Sequence, residues 1–317
     1  MGCAKKRIDP KILNHVNRNF NQSYTIAVIK AVKQLPDPWK FSKTGRNGHE
    51  PHEVASACIL KVGFNQTYDG IEAYLKESET FKNIFDDIPG HSVIHRGMTK
   101  LSIKYIRKVM NRVTRFLRRH GMNIAVDSSG FRTGNSSVWY DIRIKRKNTR
   151  KGCIKLHISV DMDTGIIHWF TPTSSKRHDS PEFKKLMKHL PKLGAVFGDK
   201  AYSSRSNCQI VADKKGIPYL CFKDNATNYA KGKPAWIISI RSCKRNKEEW
   251  LSVYHFRSIV ESVFSSIKKR WGSFLRSRRK WMQKKELSLK VLSYNIKQVL
   301  LVQYAKRCKI PLWKIIE

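Results

Sequence analysis

Three carboxylates stand out among few acids: Asp127, Asp199 and Glu261. Residues 121–317 hold only 14 Asp+Glu against 41 Lys+Arg. Asp127 closes the apolar run Met122 to Val126 and opens Asp127-Ser128-Ser129-Gly130. Asp199 closes Gly194 to Gly198 and opens Asp199-Lys200-Ala201-Tyr202. In open α/β sheets, sites assemble where strands end. The small residues beside both aspartates leave room for a large ligand. Taken singly, a carboxylate after a strand is as well a cap or a turn. Glu261 is the one acid between Glu249 and Glu286 and falls inside a helical pattern from His255 to Trp271. At ~100° per residue, Tyr254, Arg257, Glu261 and Lys268 project at about 0°, 300°, 340° and 320°. They share one narrow face. Phe256, Ile259, Val260, Val263, Phe264 and Ile267 make the adjoining apolar stripe. The plainer alternative is a solvated face with an Arg257–Glu261 pair at i,i+4.

Three carboxylates on a basic surface suit metal-assisted phosphoryl transfer. Oxygen ligands favour Mg²⁺ or Mn²⁺. Two such ions, about 3.5–4 Å apart, can activate a water or 3′-hydroxyl and stabilise a leaving oxygen. Arg257 and Lys268 would hold phosphates, the first as a planar fork and the second as a point charge. The charge balance agrees. The 317 residues carry 63 Lys+Arg and 24 Asp+Glu, a formal net charge of +39. Residues 1–120 hold 22 Lys+Arg against 10 acids (+12), and residues 121–317 hold +27. Self-repulsion on this scale calls for a polyanionic partner, and nucleic acid is the first candidate. A hydrophobic content of 40% excludes a disordered basic tail.

The elements that must position these residues are legible in part. Residues 53–62, 71–76 and 93–100 read as short helices joined by capped turns, and residues 101–119 as a longer basic helix. This pattern suits a helix-turn-helix-like DNA-binding region or a purely structural bundle. From Gly121 the texture changes to strands at 122–127, 138–144, 154–160 and 166–170, with a basic turn at 145–151. A helix at 180–190, a strand at 194–199, a helix at 204–215 and a strand at 217–222 follow. Residues 224–250 read as an irregular polar insertion, and a last helix fills 283–306. The expected fold is α/β, a mixed sheet covered on both faces. The expected division is 1–120, helical, and 121–317, catalytic.

At these motifs the chain resembles the DDE transposases of prokaryotic insertion sequences, of the 4/5-like superfamily marked by Tyr-x2-Arg-x3-Glu-x6-Lys. Tyr254, Arg257, Glu261 and Lys268 complete that signature. Asp127 to Phe131 and Gly198 to Tyr202 resemble the two aspartate motifs, and Arg177-His178-Asp179-Ser180 a recurrent segment between them. Pro89 to Arg96 resembles the family's N-terminal region. The resemblance spans roughly residues 50–300. It implies an RNase H-like core and a catalytic, metal-binding triad of Asp127, Asp199 and Glu261. Tyr254, Arg257 and Lys268 would contact DNA. It further implies Mg²⁺ or Mn²⁺, two ions, as cofactor, and double-stranded DNA, transposon ends and target, as partner. A dimeric synaptic complex and a cytoplasmic, nucleoid-associated place in a prokaryote follow from the same resemblance. Two rivals stay open: a nuclease with the same core that moves nothing, and a DNA-binding protein without activity.

Other residues have plainer readings. Asp161 and Asp163 could be metal ligands, but their context favours a hairpin turn. Asp179 favours a helix cap, although His178-Asp179 could sit near the site, and His91 with His95 is structural. Trp236 and Trp250 are core residues or, in the insertion, a platform for a displaced base. Arg276 to Lys280 suits a DNA backbone. The seven scattered cysteines lack CxxC spacing and read as reduced thiols. The N-terminus has charge without an apolar run behind it, unlike a signal peptide, and no stretch is long and apolar enough to span a membrane.

Overall fold

The apolar runs that end in the two aspartates form the middle of a five-stranded sheet. The computed structural model describes residues 5–40, 48–134, 143, 152–223 and 225–316. The strand expected at 138–144, apart from Arg143, and the turn expected at 145–151 lie outside the described residues. In chain order the elements begin with β1 (Lys5–Ile8), α1 (Pro10–Arg18), α2 (Phe20–Lys33), α3 (Pro51–Gly63), α4 (Tyr68–Glu77), α5 (Glu79–Lys82), α6 (His91–Lys100) and α7 (Ile103–Thr114). Next come β2 (Met122–Arg132), β3 (Cys153–Asp161), β4 (Ile167–Ser174), α8 (Ser180–Lys188), β5 (Leu193–Gly198), α9 (Arg205–Asp213) and β6 (Ile217–Leu220). The chain ends with α10 (Pro234–Arg245), α11 (Lys247–Tyr254), α12 (Ser258–Trp271), α13 (Lys280–Cys308) and β7 (Trp313–Ile316).

These elements group into two units, one of residues 1–7, 117–278 and 313–317 and one of residues 8–116 and 279–312. The second unit is helical. Asp9 and Pro10 start α1, with Asp9 Oδ1 accepting from the Lys11 N–H at 2.7 Å. Thr67 and Ser102 cap α4 and α7 in the same way, each at 3.0 Å. Helix α13 is buried along most of its length, from Met282 to Ala305. Such a helix needs neighbours on every side, and it finds them in α1, α2, α3 and α7. The buried hydroxyls of Tyr24 and Ser293, 2.7 Å apart, tie α2 to it. The grouping therefore differs from the expected break at residue 121, because α13 lies with the helices and not with the sheet.

The first unit carries the mixed sheet, in strand order β4-β3-β2-β5-β6. Strand β2 pairs antiparallel with β3 and parallel with β5, β3 pairs antiparallel with β4, and β5 pairs parallel with β6. Strand side chains alternate between faces. From Ile124 the β2–β3 register runs without a shift, so Ile124, Val126 and Ser128 share one face and Ala125, Asp127, Ser129 and Phe131 the other. The first face packs on Phe183, Leu186 and Met187 of α8, Cys208 and Val211 of α9, and Trp236 and Ile240 of α10. Helix α12 packs on β2 from the second face, where the Lys268 ammonium lies 5.4 Å from the Phe131 ring centroid.

The stretch expected to be irregular, 224–250, is largely helical, in α10 and α11. Its core-facing residues, Ala235, Trp236, Ser239 and Ile240, have helical spacing that the surrounding lysines and arginines obscured. Close packing also constrains the approach to the site. A Cβ on Gly198 would lie 2.8 Å from Leu220 Cδ2 and 2.9 Å from Val126 Cγ2. Gly198→Val is expected to destabilise by about 1–3 kcal/mol through overpacking. A lowered urea midpoint at unchanged slope would confirm it, and an unchanged midpoint would refute it.

Candidate active site

Strand pairing sets two carboxylates side by side. Val126 is the register partner of Gly198 across the parallel β2–β5 pair, so Asp127, within β2, and Asp199, just past the end of β5, each follow a paired residue. Asp127 Oδ1 accepts from the Ser128 N–H at 2.7 Å, and Asp199 Oδ1 accepts from the Lys200 N–H at 2.6 Å. Asp199 thereby caps the short 3-10 turn Lys200–Tyr202, which turns the chain off the strand end.

Glu261 reaches the same place from α12. The helix expected from His255 begins instead at Ser258, after a 3-10 turn at His255–Arg257 that joins it to α11. This turn shifts Phe256 out of the apolar stripe, and it is 43% exposed while Ile259, Val260, Val263, Phe264 and Ile267 are buried. The turn places Arg257 between two acids. Its Nη1 donates to Asp127 Oδ2 at 3.2 Å and its Nη2 to Glu261 Oε1 at 2.9 Å. The i,i+4 pair expected on the helix is therefore half of a bridge that reaches across to β2.

Burial raises the Asp127 pKa, the charges of Asp199 and Glu261 add to the rise, and the Ser128 N–H and Arg257 oppose it. Arg257 has the complementary surroundings. Burial acts to lower its pKa, but Tyr254, Asp127, Glu261 and Asp199 outweigh burial and raise it. Beside these groups opens a groove of about 600 Å³, with Asp127, Ser129, Glu261, Lys268 and Lys269 among its walls. Lys268 Nζ donates to Ser129 Oγ at 2.7 Å, and burial lowers the Lys268 pKa.

Tyr254 stacks on Trp250, with ring centroids 5.3 Å apart, and the Arg257 guanidinium lies 5.8 Å from the Tyr254 ring centroid. Burial pushes the Tyr254 phenol up to about 12. Trp236 and Trp250 are both buried, with the Trp236 indole N–H bonded to the Thr227 carbonyl. Of their two readings, core residues prevail. Asp161 occupies the hairpin turn, accepting from the Thr164 hydroxyl at 2.7 Å, and Gly165 takes φ +70°. His91 hydrogen-bonds Glu72 at 2.8 Å, and His95 meets the Tyr68 ring edge-on.

For Asp179 the sequence offers a helix cap or a place near the site, and its contacts favour the second. Asp179 stands at the N-terminus of α8 yet makes no side-chain capping bond. It accepts instead from Ser128 Oγ at 3.0 Å and from Lys155 Nζ. Among the described residues, the acids whose ligand atoms all lie within 4.8 Å of one another are Glu50, Glu53 and Asp86, in the helical unit, where Glu53 Oε1 accepts the Asp86 N–H at 2.8 Å.

Residues 120–296, more than half of the chain, match the model of the transposase DDE domain, and the chain belongs to that family. It is also similar to the probable transposase for insertion sequence element ISA1214 of Archaeoglobus fulgidus, with 26% identity over 235 residues, 72% of this chain and 70% of that protein. Among solved structures, a cryo-EM structure of the piggyBac transposase synaptic complex with hairpin DNA aligns with 94% of this chain and 74% of its own, at a TM-score of 0.47 and 8% identity. Among the described residues, no helix is long and apolar enough to cross a membrane.

Proposed function

We propose that this chain is the transposase of a prokaryotic insertion sequence. It binds the element's terminal inverted repeats, cuts at their ends and joins the freed 3′-hydroxyls to target DNA. The observation that carries this reading is that Asp127 and Asp199 each follow the paired residues Val126 and Gly198 of two neighbouring parallel strands, with Glu261 tied to Asp127 through Arg257. The strand order β4-β3-β2-β5-β6, with three antiparallel strands leading into two parallel ones, supports an RNase H-like core.

The donor set fits a hard divalent cation. It consists of carboxylates, and the Asp127 pKa is raised first by burial and further by the charges of Asp199 and Glu261, all of which a bound cation would offset. Asp127, Asp199 and Glu261 would hold Mg²⁺ or Mn²⁺. The chemistry supplied by two such ions is activation of a water or 3′-hydroxyl and stabilisation of the leaving oxygen. The protein's own part is positional. Backbone N–H groups orient the two aspartates, and Arg257 screens Asp127 from Glu261. Arg257, Tyr254 and Lys268 grip the DNA near the scissile phosphate. The net charge of +39 supports a long DNA footprint, with the helical segment 8–116 reading the terminal repeat. The working form is a dimer that pairs two ends, in the cytoplasm and on the nucleoid.

Purified protein incubated with a duplex bearing the terminal repeats and Mg²⁺ or Mn²⁺ should nick the repeat end and join it to a second duplex. Nicking without joining would favour a nuclease. Binding with neither reaction would leave a DNA-binding protein without activity. Lys268→Ala should weaken repeat binding at all sequences alike and flatten the log–log salt dependence by about 0.9, the value of one phosphate contact. An unchanged slope in fluorescence anisotropy would remove Lys268 from the DNA interface.

A further inference from the structure

We infer that Asp179 is a positioning residue for the catalytic strand. From the sheet face opposite Asp127 it holds Ser128, and through Ser128 it sets the direction of the Asp127 carboxylate. The inference rests on the reading of Asp127 as a metal-binding carboxylate.

The local sequence argues for a different role. Asp179 precedes Ser180 and Pro181 at the start of α8, where an aspartate side chain usually accepts an N–H of the first turn. Here that bond is not made, and the side chain is only 10% exposed. Both carboxylate oxygens are engaged inward, Oδ2 by the Ser128 hydroxyl at 3.0 Å and Oδ1 by the Lys155 ammonium. A buried carboxylate diverted from its local partner needs compensation elsewhere, and Lys155 supplies the countercharge.

The alternation of β2 explains what the diversion achieves. Asp127 points to the α12 face, and Ser128, the next residue, to the α8 face. Asp179 therefore acts behind the site rather than as a further ligand in it. Directly across from Ser128 in the register is His157, buried between the Tyr202 hydroxyl at 3.1 Å and Thr173 Oγ1 at 2.9 Å. The Tyr202 N–H in turn donates to the Asp199 carbonyl at 2.9 Å. One buried polar network thus touches the segment after each aspartate. The Ser128 N–H that orients Asp127 Oδ1 belongs to the residue whose hydroxyl Asp179 holds. Freeing that hydroxyl lets the Asp127–Ser128 segment of β2 shift, and a displacement of 1 Å at a reacting group costs about 10²-fold in rate.

The test uses the full chain with Mn²⁺ as probe. Free Mn²⁺ is followed by electron paramagnetic resonance without DNA, and nicking of a terminal-repeat duplex is measured in parallel. Asp179→Ala and Ser128→Ala should each weaken Mn²⁺ binding about tenfold, the low end for residues that orient metal ligands. Both should lower kcat at unchanged KM for the duplex. Asp179→Asn keeps an oxygen acceptor for Ser128 and should recover most of the loss. The double variant should be no worse than either single one, because both remove the same bond. Additive losses, an Asp179→Asn as impaired as Asp179→Ala, or wild-type Mn²⁺ affinity in both alanine variants would each overturn the inference. Should Asp179→Ala not fold, Ser128→Ala, which deletes one hydroxyl, decides alone by the same readouts. Asp127→Asn separates the two levels. Wild-type Mn²⁺ affinity in that variant overturns the metal-carboxylate reading and this inference with it. Loss there, with none in Asp179→Ala and Ser128→Ala, overturns only the inference.

Discussion

Replacing Asp127 with asparagine is expected to abolish strand cleavage and, without added metal, to raise the melting temperature. The two effects have one cause. Burial and the nearby Asp199 and Glu261 raise the Asp127 pKa above its ordinary value of 3.8. The folded state therefore binds its proton more tightly than the unfolded chain does. Stability contributed by the protonated form is present below the ordinary value and is lost as pH rises through the raised, folded-state value. At neutral pH the ionised carboxylate opposes folding, and asparagine removes that opposition while its one oxygen keeps the Ser128 N–H bond and the acceptor that met Arg257 is given up. A gain of about 2–4 °C corresponds to about 1 kcal/mol in a domain of this size. The gain should shrink as pH falls through the raised value and vanish below the ordinary one, where folded and unfolded wild type are both neutral. Cleavage should fall at least about 10³-fold, and DNA binding should persist. Asp199→Asn and Glu261→Gln should match this loss of cleavage. Calorimetry in chelator across pH, with a nicking assay in Mg²⁺, checks both halves. A lowered melting temperature at pH 7, or retained cleavage, would show that Asp127 is not a strained catalytic carboxylate.

How much of this site was legible depended on whether its cause was local. Asp127 and Asp199 could be found because each closes an apolar run, and two such runs in one α/β pattern can lie side by side. Asp199 does follow the end of β5, but β2 continues past Asp127 to Arg132, still paired with β3. Glu261 could be found because helical spacing joined it to Arg257 and Lys268, and the 3-10 turn at His255–Arg257 altered the angles without separating them. The reach of Arg257 to Asp127 was not legible, since its partner lies 130 positions away. Asp179 shows the opposite failure. Its local pattern argued for a cap, and tertiary partners on β2 and β3 overrode it. In the fold, the high charge density of 224–250 hid two helices, and α1 and α2 went unread beside the motifs that followed. Helix α13 was recognised as a helix but grouped with the sheet, because a helix buried on most sides does not reveal which neighbours bury it.

Arg257→Ala should separate the two roles that geometry gives this residue, screening inside the site and contact with DNA. Its guanidinium is 20% exposed and spans Asp127, 19% exposed, and Glu261, 60% exposed. Removing it leaves two like charges facing one another beside Asp199, with the ion pair to the buried partner broken. Since Glu261 is largely in solvent, the cost should fall below the 3–5 kcal/mol of a wholly buried pair, at about 1–2 kcal/mol, or a melting temperature lower by several degrees. Arg257→Lys should not restore the bridge, because an ammonium lacks the planar fork that meets two carboxylates at once. Added Mn²⁺ should stabilise Arg257→Ala more than wild type, since a cation then supplies the screening that the guanidinium no longer does. Repeat cleavage should fall about 10²-fold or more even at saturating Mn²⁺, because the phosphate clamp is also gone. Thermal shifts with and without Mn²⁺, set beside nicking rates, distinguish the roles. Equal Mn²⁺ stabilisation of both proteins would show that Arg257 does not screen the carboxylates. Wild-type cleavage at saturating Mn²⁺ would show that screening is its whole contribution and that the DNA end is held by other residues.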